Sequence, residues 1–96
     1  MNVSNGPTAS TRPLPDGATE VRIHDAGGYG SEWQWGCVVA PREPGSTVAW
    51  ITLAPHAPTS EQRREARRIV RELGFTHAQW ERRRNGYTYM TREFRL

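Results

Sequence analysis

Residues 59–75 read TSEQRREARRIVRELGF, and the fold turns on them. Thr59 and Gln62 stand at the spacing of a capping box, in which each side chain satisfies the other residue's backbone N–H. Pro55 and Pro58 stop any helix upstream, because proline lacks the N–H a helix interior needs. Ala66, Ile69, Val70 and Leu73 recur at i, i+3, i+4 and i+7, one apolar stripe. Gly74 falls where a helix takes a left-handed C′ residue, and Phe75 is placed to fold back on the last turn. The pattern predicts a helix over about residues 60–73 with one buried face.

On both sides of this segment the apolar period changes from that of a helix to that of a strand. Upstream, Val21 and Ile23 alternate with Glu20, Arg22 and His24, which predicts a short strand at 19–24. Residues 33–40 (WQWGCVVA) predict a second, with Trp33, Trp35, Cys37 and Val39 on one face. The proline- and glycine-bearing turn PREPGS leads to a third at 47–54, with Trp50 on one face and Ile51 and Leu53 on the other. Downstream, Asn85-Gly86 is the strongest short hairpin signal, so strands are expected at 76–84 and 87–95. The expected fold is α+β. An antiparallel or mixed β-sheet of about five strands carries one amphipathic helix on one face, in the order β-β-β-α-β-β.

A two-residue loop fixes the hairpin register, pairing 84 with 87, 82 with 89, 80 with 91 and 78 with 93. One face then carries Trp80, Arg82, Arg84, Tyr87 and Tyr89. The other carries Phe75, His77, Phe94 and Leu96 at its open end, the end expected to pack on the helix. Residues 1–18, poor in apolar side chains, are expected to be a flexible tail, leaving 19–96 as a single small domain. The glycine-rich stretch DAGGYGSE at 25–32 precedes a strand and not a helix, so a phosphate-cradling loop is not expected there. It reads as a strand connection, or as a loop with an exposed Tyr29 that orders on binding.

The chain has 96 residues and a net charge of +3, and the charge is unevenly placed. Residues 1–60 hold three arginines against five acids, whereas residues 61–96 hold ten arginines against five glutamates. Lysine is absent, so every basic side chain is a planar, permanently charged fork suited to phosphate, carboxylate or aromatic faces. Arg63, Arg67 and Arg71 lie at i, i+4 and i+8 on the expected helix, with Arg64 and Arg68 in a second row. Pairs such as Glu65–Arg68 and Arg68–Glu72 offset part of their repulsion. The hairpin adds Arg82, Arg83 and Arg84 beside Tyr87 and Tyr89. Aromatic rings stack bases and guanidinium groups track phosphates, while the same residue types dominate protein interfaces. The plainer alternatives are a solvated helix face and ordinary cross-strand packing of arginine stems on tyrosine rings.

Other chemistry has little material. Cys37 is the lone cysteine, which excludes an internal disulfide. It is the sole candidate nucleophile, mid-strand, where a small buried hydrophobe is the common outcome. His24, His56, His77 and Asp25 stand at no metal-ligand spacing, so no metal or other cofactor is expected. No apolar run approaches the roughly 18 residues of a membrane span. With no secretory leader evident, a cytoplasmic protein is expected. The Leu73-Gly74-Phe75 turn after an arginine-rich helix resembles the end of acetyltransferase domains. The chain is shorter than that fold and lacks its pyrophosphate-binding glycine motif, so no acetyl transfer is implied. Two functions stay open. One is a non-enzymatic module that binds nucleic acid through the helix and hairpin arginines. The other is an adaptor or inhibitor of an acidic or nucleic-acid-handling protein, by analogy with small phage or mobile-element proteins such as anti-CRISPR proteins.

Overall fold

A computed structural model describes residues 8–24 and 33–96. The element order is β1 (Thr8–Pro13), β2 (Thr19–His24), β3 (Trp33–Pro41), β4 (Val48–Thr52), α1 (Ser60–Glu72), β5 (His77–Arg84), β6 (Tyr87–Met90) and β7 (Phe94–Arg95). The fold is α+β, as the sequence implies, with a mixed sheet of seven strands instead of about five. Strands β1 to β4 form an antiparallel meander, α1 carries the chain over to β5 parallel to β4, and β6 and β7 both pair with β5. Residues 1–7 and the stretch 25–32, with Asp25 and Tyr29, lie outside the described residues.

The helix begins and ends where its sequence signals place it. The Thr59 hydroxyl accepts from the Gln62 N–H at 3.2 Å and the Gln62 side chain accepts from the Thr59 N–H at 2.9 Å. At the other end Gly74 has a φ of 101°, its N–H donates to the Arg71 carbonyl, and the Phe75 N–H reaches back to Val70. Ala66, Ile69 and Val70 are buried against Val21, Ile23, Trp35, Cys37, Val39, Ala49, Ile51 and Ala78. Leu73, expected in the same stripe, caps the helix and is exposed instead.

Three expectations are corrected. The flexible tail expected over 1–18 contains a strand. Thr8–Pro13 pairs residue for residue with β2, and among the described side chains of β1 only Ala9 packs against the core. Backbone pairing, which composition does not reveal, supplies the rest of its order. Second, Leu53 does not continue β4 opposite Trp50. The strand ends at Thr52, and Leu53 turns out at a φ of 61° and is exposed.

Third, the hairpin register holds only near the turn. Pairs 84↔87 and 82↔89 form, and Asn85 and Gly86 take the positive φ values of a type I′ turn. The Thr91 N–H still donates to the Trp80 carbonyl at 2.8 Å, but the Trp80 N–H goes to the Thr91 hydroxyl. One extra residue is thereby inserted, and Ala78 pairs with Phe94 instead of residue 93. A single-residue slip moves every later side chain to the opposite face. Phe94 therefore joins Trp80 on the helix side, with ring centroids 6.4 Å apart and planes within 6°. His77 points to the other side and leaves the apolar cluster in which it was expected.

Candidate functional site

The helix lies chiefly over β1 and β2, and β5 is fully buried on that face only at Ala78, so the face beyond Ala78 toward the hairpin stays partly open. Alternation along β5 puts Ala78, Trp80, Arg82 and Arg84 on that face, with Tyr89 and Tyr87 opposite the two arginines. On the helix, Arg63, Arg67 and Arg71 occupy the flank turned toward it. The result is a groove with Trp80 and Phe94 in its floor, Arg63 and Arg67 along one wall, and Arg82, Arg92 and Arg95 along the other. Arg67 reaches across. Its guanidinium lies 5.6 Å from the Phe94 ring centroid and donates to the Arg95 carbonyl at 2.9 Å. Arg64 and Arg71 continue the basic wall into a second depression that ends at Leu96.

Charge is sorted by location. Arg12 and Arg22 pair with Glu20, Arg42 with Glu93, Arg83 with Glu81, and Arg68 with both Glu65 and Glu72. Glu20, Arg22 and Gln79 lie on the sheet face away from the helix, where Gln79 also accepts from Trp50 Nε1 at 3.0 Å. The hydrogen bond that Arg68 donates to Glu65 raises the pKa of Arg68 above its ordinary value. By contrast Arg63, Arg64, Arg67, Arg71, Arg82, Arg84, Arg92 and Arg95 have no acidic partner among the described residues. Like charges gathered at one place with no counter-charge raise the field there and favour an anionic ligand.

Of the residues singled out from sequence, Arg63, Arg67 and Arg82 thus meet in one groove, and Arg64 and Arg71 flank it. Arg68 and Arg83 are held in ion pairs. Arg84, Tyr87 and Tyr89 extend the groove face outward at the hairpin tip, where Tyr87 is 77% exposed. Sequence reading missed Trp80, Phe94, Arg92 and Arg95 as site residues, because only the slip at Thr91 turns Phe94 and Arg92 to the helix face, with Arg95 at the groove's end, where its carbonyl meets Arg67. A usable signal was present. Trp80, Phe94 and Leu96 are all large and apolar, and unbroken alternation splits them across two faces.

A cleft of about 200 Å³ adjoins the groove at the end of β4. The β4–β5 pairing stops at Ile51↔Trp80, and beyond it the 54–58 loop stands off from the edge of β5. Arg63, Trp80 and Arg82 line both cleft and groove. The loop is tied to the core by Trp35, whose Nε1 donates to the His56 carbonyl at 2.7 Å.

Cys37 takes no part in this site. It is buried, and burial pushes its thiol pKa up to about 12. A thiol so held carries almost no thiolate at neutral pH. Labelling of native protein by a thiol reagent is therefore expected to proceed only as fast as the chain unfolds. Rapid stoichiometric labelling under native conditions would contradict this burial. Among the described residues, no three His, Cys, Asp or Glu side chains converge as metal ligands. No described helix is long and apolar enough to cross a membrane.

Fold and site together define a small α+β domain with one arginine-walled groove beside its helix. Comparison with protein-family models, curated proteins and solved structures finds no match.

Proposed function

We propose that this protein is a non-enzymatic binding module that holds nucleic acid in the groove between α1 and the β5–β6 hairpin. One observation carries the reading. Arginines with acidic partners lie elsewhere, while those around the Trp80–Phe94 pair have none. Guanidinium groups track phosphates and aromatic faces stack bases, and the groove supplies both side by side. The five groove arginines predict a strong salt dependence. If each meets one phosphate of a single strand, log K falls against log salt with a slope of roughly −3.5. Titration of oligonucleotide binding from about 50 to 200 mM salt measures it. No retardation of either DNA or RNA at the low-salt end would end the proposal.

The hairpin tip favours a second reading, an adaptor or inhibitor that docks on an acidic or nucleic-acid-handling protein. Tyr87 and Tyr89 are exposed there beside Arg82 and Arg84, and tyrosine and arginine are over-represented among interface hot spots. Charge reversal at Arg63 and Arg67 on the helix wall separates the readings, because it weakens nucleic-acid binding and leaves the tip's arginines and tyrosines in place.

A further inference from the structure

The cleft at the end of β4 does more than extend the groove. Resting on the nucleic-acid reading above, we propose that it is a nucleotide slot. One unpaired base of a single strand enters between Trp80 and the 54–58 loop, and its flanking phosphates lie on Arg63 and Arg82. The ligand is then single-stranded nucleic acid, not duplex.

Four observations converge on this slot. Its place in the fold is the carboxyl end of the parallel pair β4–β5, the position at which open sheets with parallel strands receive ligands. Its size, about 200 Å³, is below the roughly 300–1,000 Å³ of sites for drug-sized molecules. That is room for one flat heterocycle and too little for a duplex or a folded peptide. Its lining is mixed, with apolar surface from Ala54, Pro55, Ala57, Pro58 and Trp80 beside the charged Arg63, Arg82 and Arg83. A purely phosphate-binding surface has no use for such apolar surface. The one acid at the rim, Glu81, is already engaged by Arg83 and by the Leu53 N–H, both at 3.4 Å.

The slot is also preformed. Trp35, fully buried, anchors the loop through the His56 carbonyl. Pro55 and Pro58 restrict the backbone on either side of that anchor. Leu53, held at a φ of 61°, makes the turn that separates the loop from β5. A left-handed conformation costs a residue other than glycine roughly 1–2 kcal/mol, and such strain concentrates at binding sites and switch regions. Because the loop is already ordered, binding loses little entropy in arranging it. At the helix N-terminus Thr59 and Gln62 cap each other reciprocally. Arg63 and Arg82 are exposed, and both line the slot beside Trp80.

The test uses the wild-type protein at about 50 mM salt and compares four ligands of matched charge. These are a single-stranded oligonucleotide, the same strand with abasic sugars throughout, a blunt duplex and poly-glutamate. The unmodified strand is expected to bind roughly tenfold or more tighter than the abasic strand, the usual weight of one stacked base. The duplex and the polypeptide should fall with the abasic strand. Ala57→Leu, an exposed loop substitution that fills the slot, is expected to erase the advantage of the unmodified strand and leave abasic binding unchanged. Equal binding of normal and abasic strands overturns the slot and leaves the groove standing only as a phosphate-binding surface. A duplex bound as tightly as the strand also overturns it, as does poly-glutamate. Loss of all nucleic-acid binding defeats the underlying reading instead.

Discussion

Arg63→Glu combined with Arg82→Glu is expected to weaken binding of single-stranded nucleic acid by about a hundredfold at low salt. The two residues are chosen for where they stand. Arg63, on α1, lines the groove, the adjoining slot and the outer depression on the helix, and Arg82, on β5, lines the groove and the slot. Neither has an acidic partner among the described residues, so replacing it breaks no ion pair. A hydrogen bond to a charged group contributes about 1.5–3 kcal/mol. Removing two such hydrogen bonds accounts for the hundredfold, and the reversed charges add repulsion. The salt slope should also flatten by about 1.4, or 0.7 for each phosphate released. Arg68→Glu serves as the control. Its charge is held by Glu65 and Glu72 on the side of the helix away from the groove, so it should alter helix stability by tenths of a kcal/mol and binding very little. Anisotropy of a labelled oligonucleotide, with melting curves for each variant, measures all three. A loss in Arg68→Glu equal to that in the double variant would mean that overall charge, not the groove, governs binding.

This contrast between Arg68 and its neighbours shows what the sequence held and what it withheld. The pairs Glu65–Arg68 and Arg68–Glu72 are local in sequence and follow from helical spacing alone. The capping box, the Gly74 terminus and the Asn85-Gly86 turn are equally local, and all form where the chain specifies them. Nothing local announces that Arg42 is paired with Glu93, 51 residues away. The sorting of paired arginines from unpaired ones therefore became visible only in three dimensions. Strand β1 escaped notice for a related reason. An edge strand needs one inward side chain and a partner's backbone, and the sequence TASTRP offers only Ala9. The slip at Thr91 had the largest consequence. A hydroxyl took the place of a carbonyl in the β5 ladder, and the apolar residues beyond it changed face. That change moved the candidate site inward, from the exposed tip of the hairpin to the groove floored by Trp80 and Phe94.

Trp35→Ala is expected to remove about 3–5 kcal/mol of stability, the usual cost of truncating a large buried aromatic. Trp35 is the largest fully buried side chain among the described residues, and its ring lies 6.0 Å from that of Trp80. Domains of this size have only about 5–15 kcal/mol in total. The melting temperature should fall on the order of 20 °C, because each kcal/mol shifts a domain of 60–100 residues by several degrees. Trp35→Phe separates packing from anchoring. It retains most of the ring volume but leaves the His56 carbonyl without its indole donor. That carbonyl sits in an exposed loop where water can replace the indole, so the expected cost is near the lower end of the 1–3 kcal/mol for an unsatisfied group. The local effect should exceed the global one. Amide exchange at His56 and Ala57 should quicken while exchange in α1 changes little, since the loop can open without the helix. The same variant should lower the preference for an unmodified strand over an abasic one, because the slot's outer wall is no longer held in place. If Trp35→Ala melts within a few degrees of wild type, Trp35 is not the core anchor described above. If Trp35→Phe leaves both loop exchange and base preference untouched, the indole–carbonyl bond does not hold the slot open.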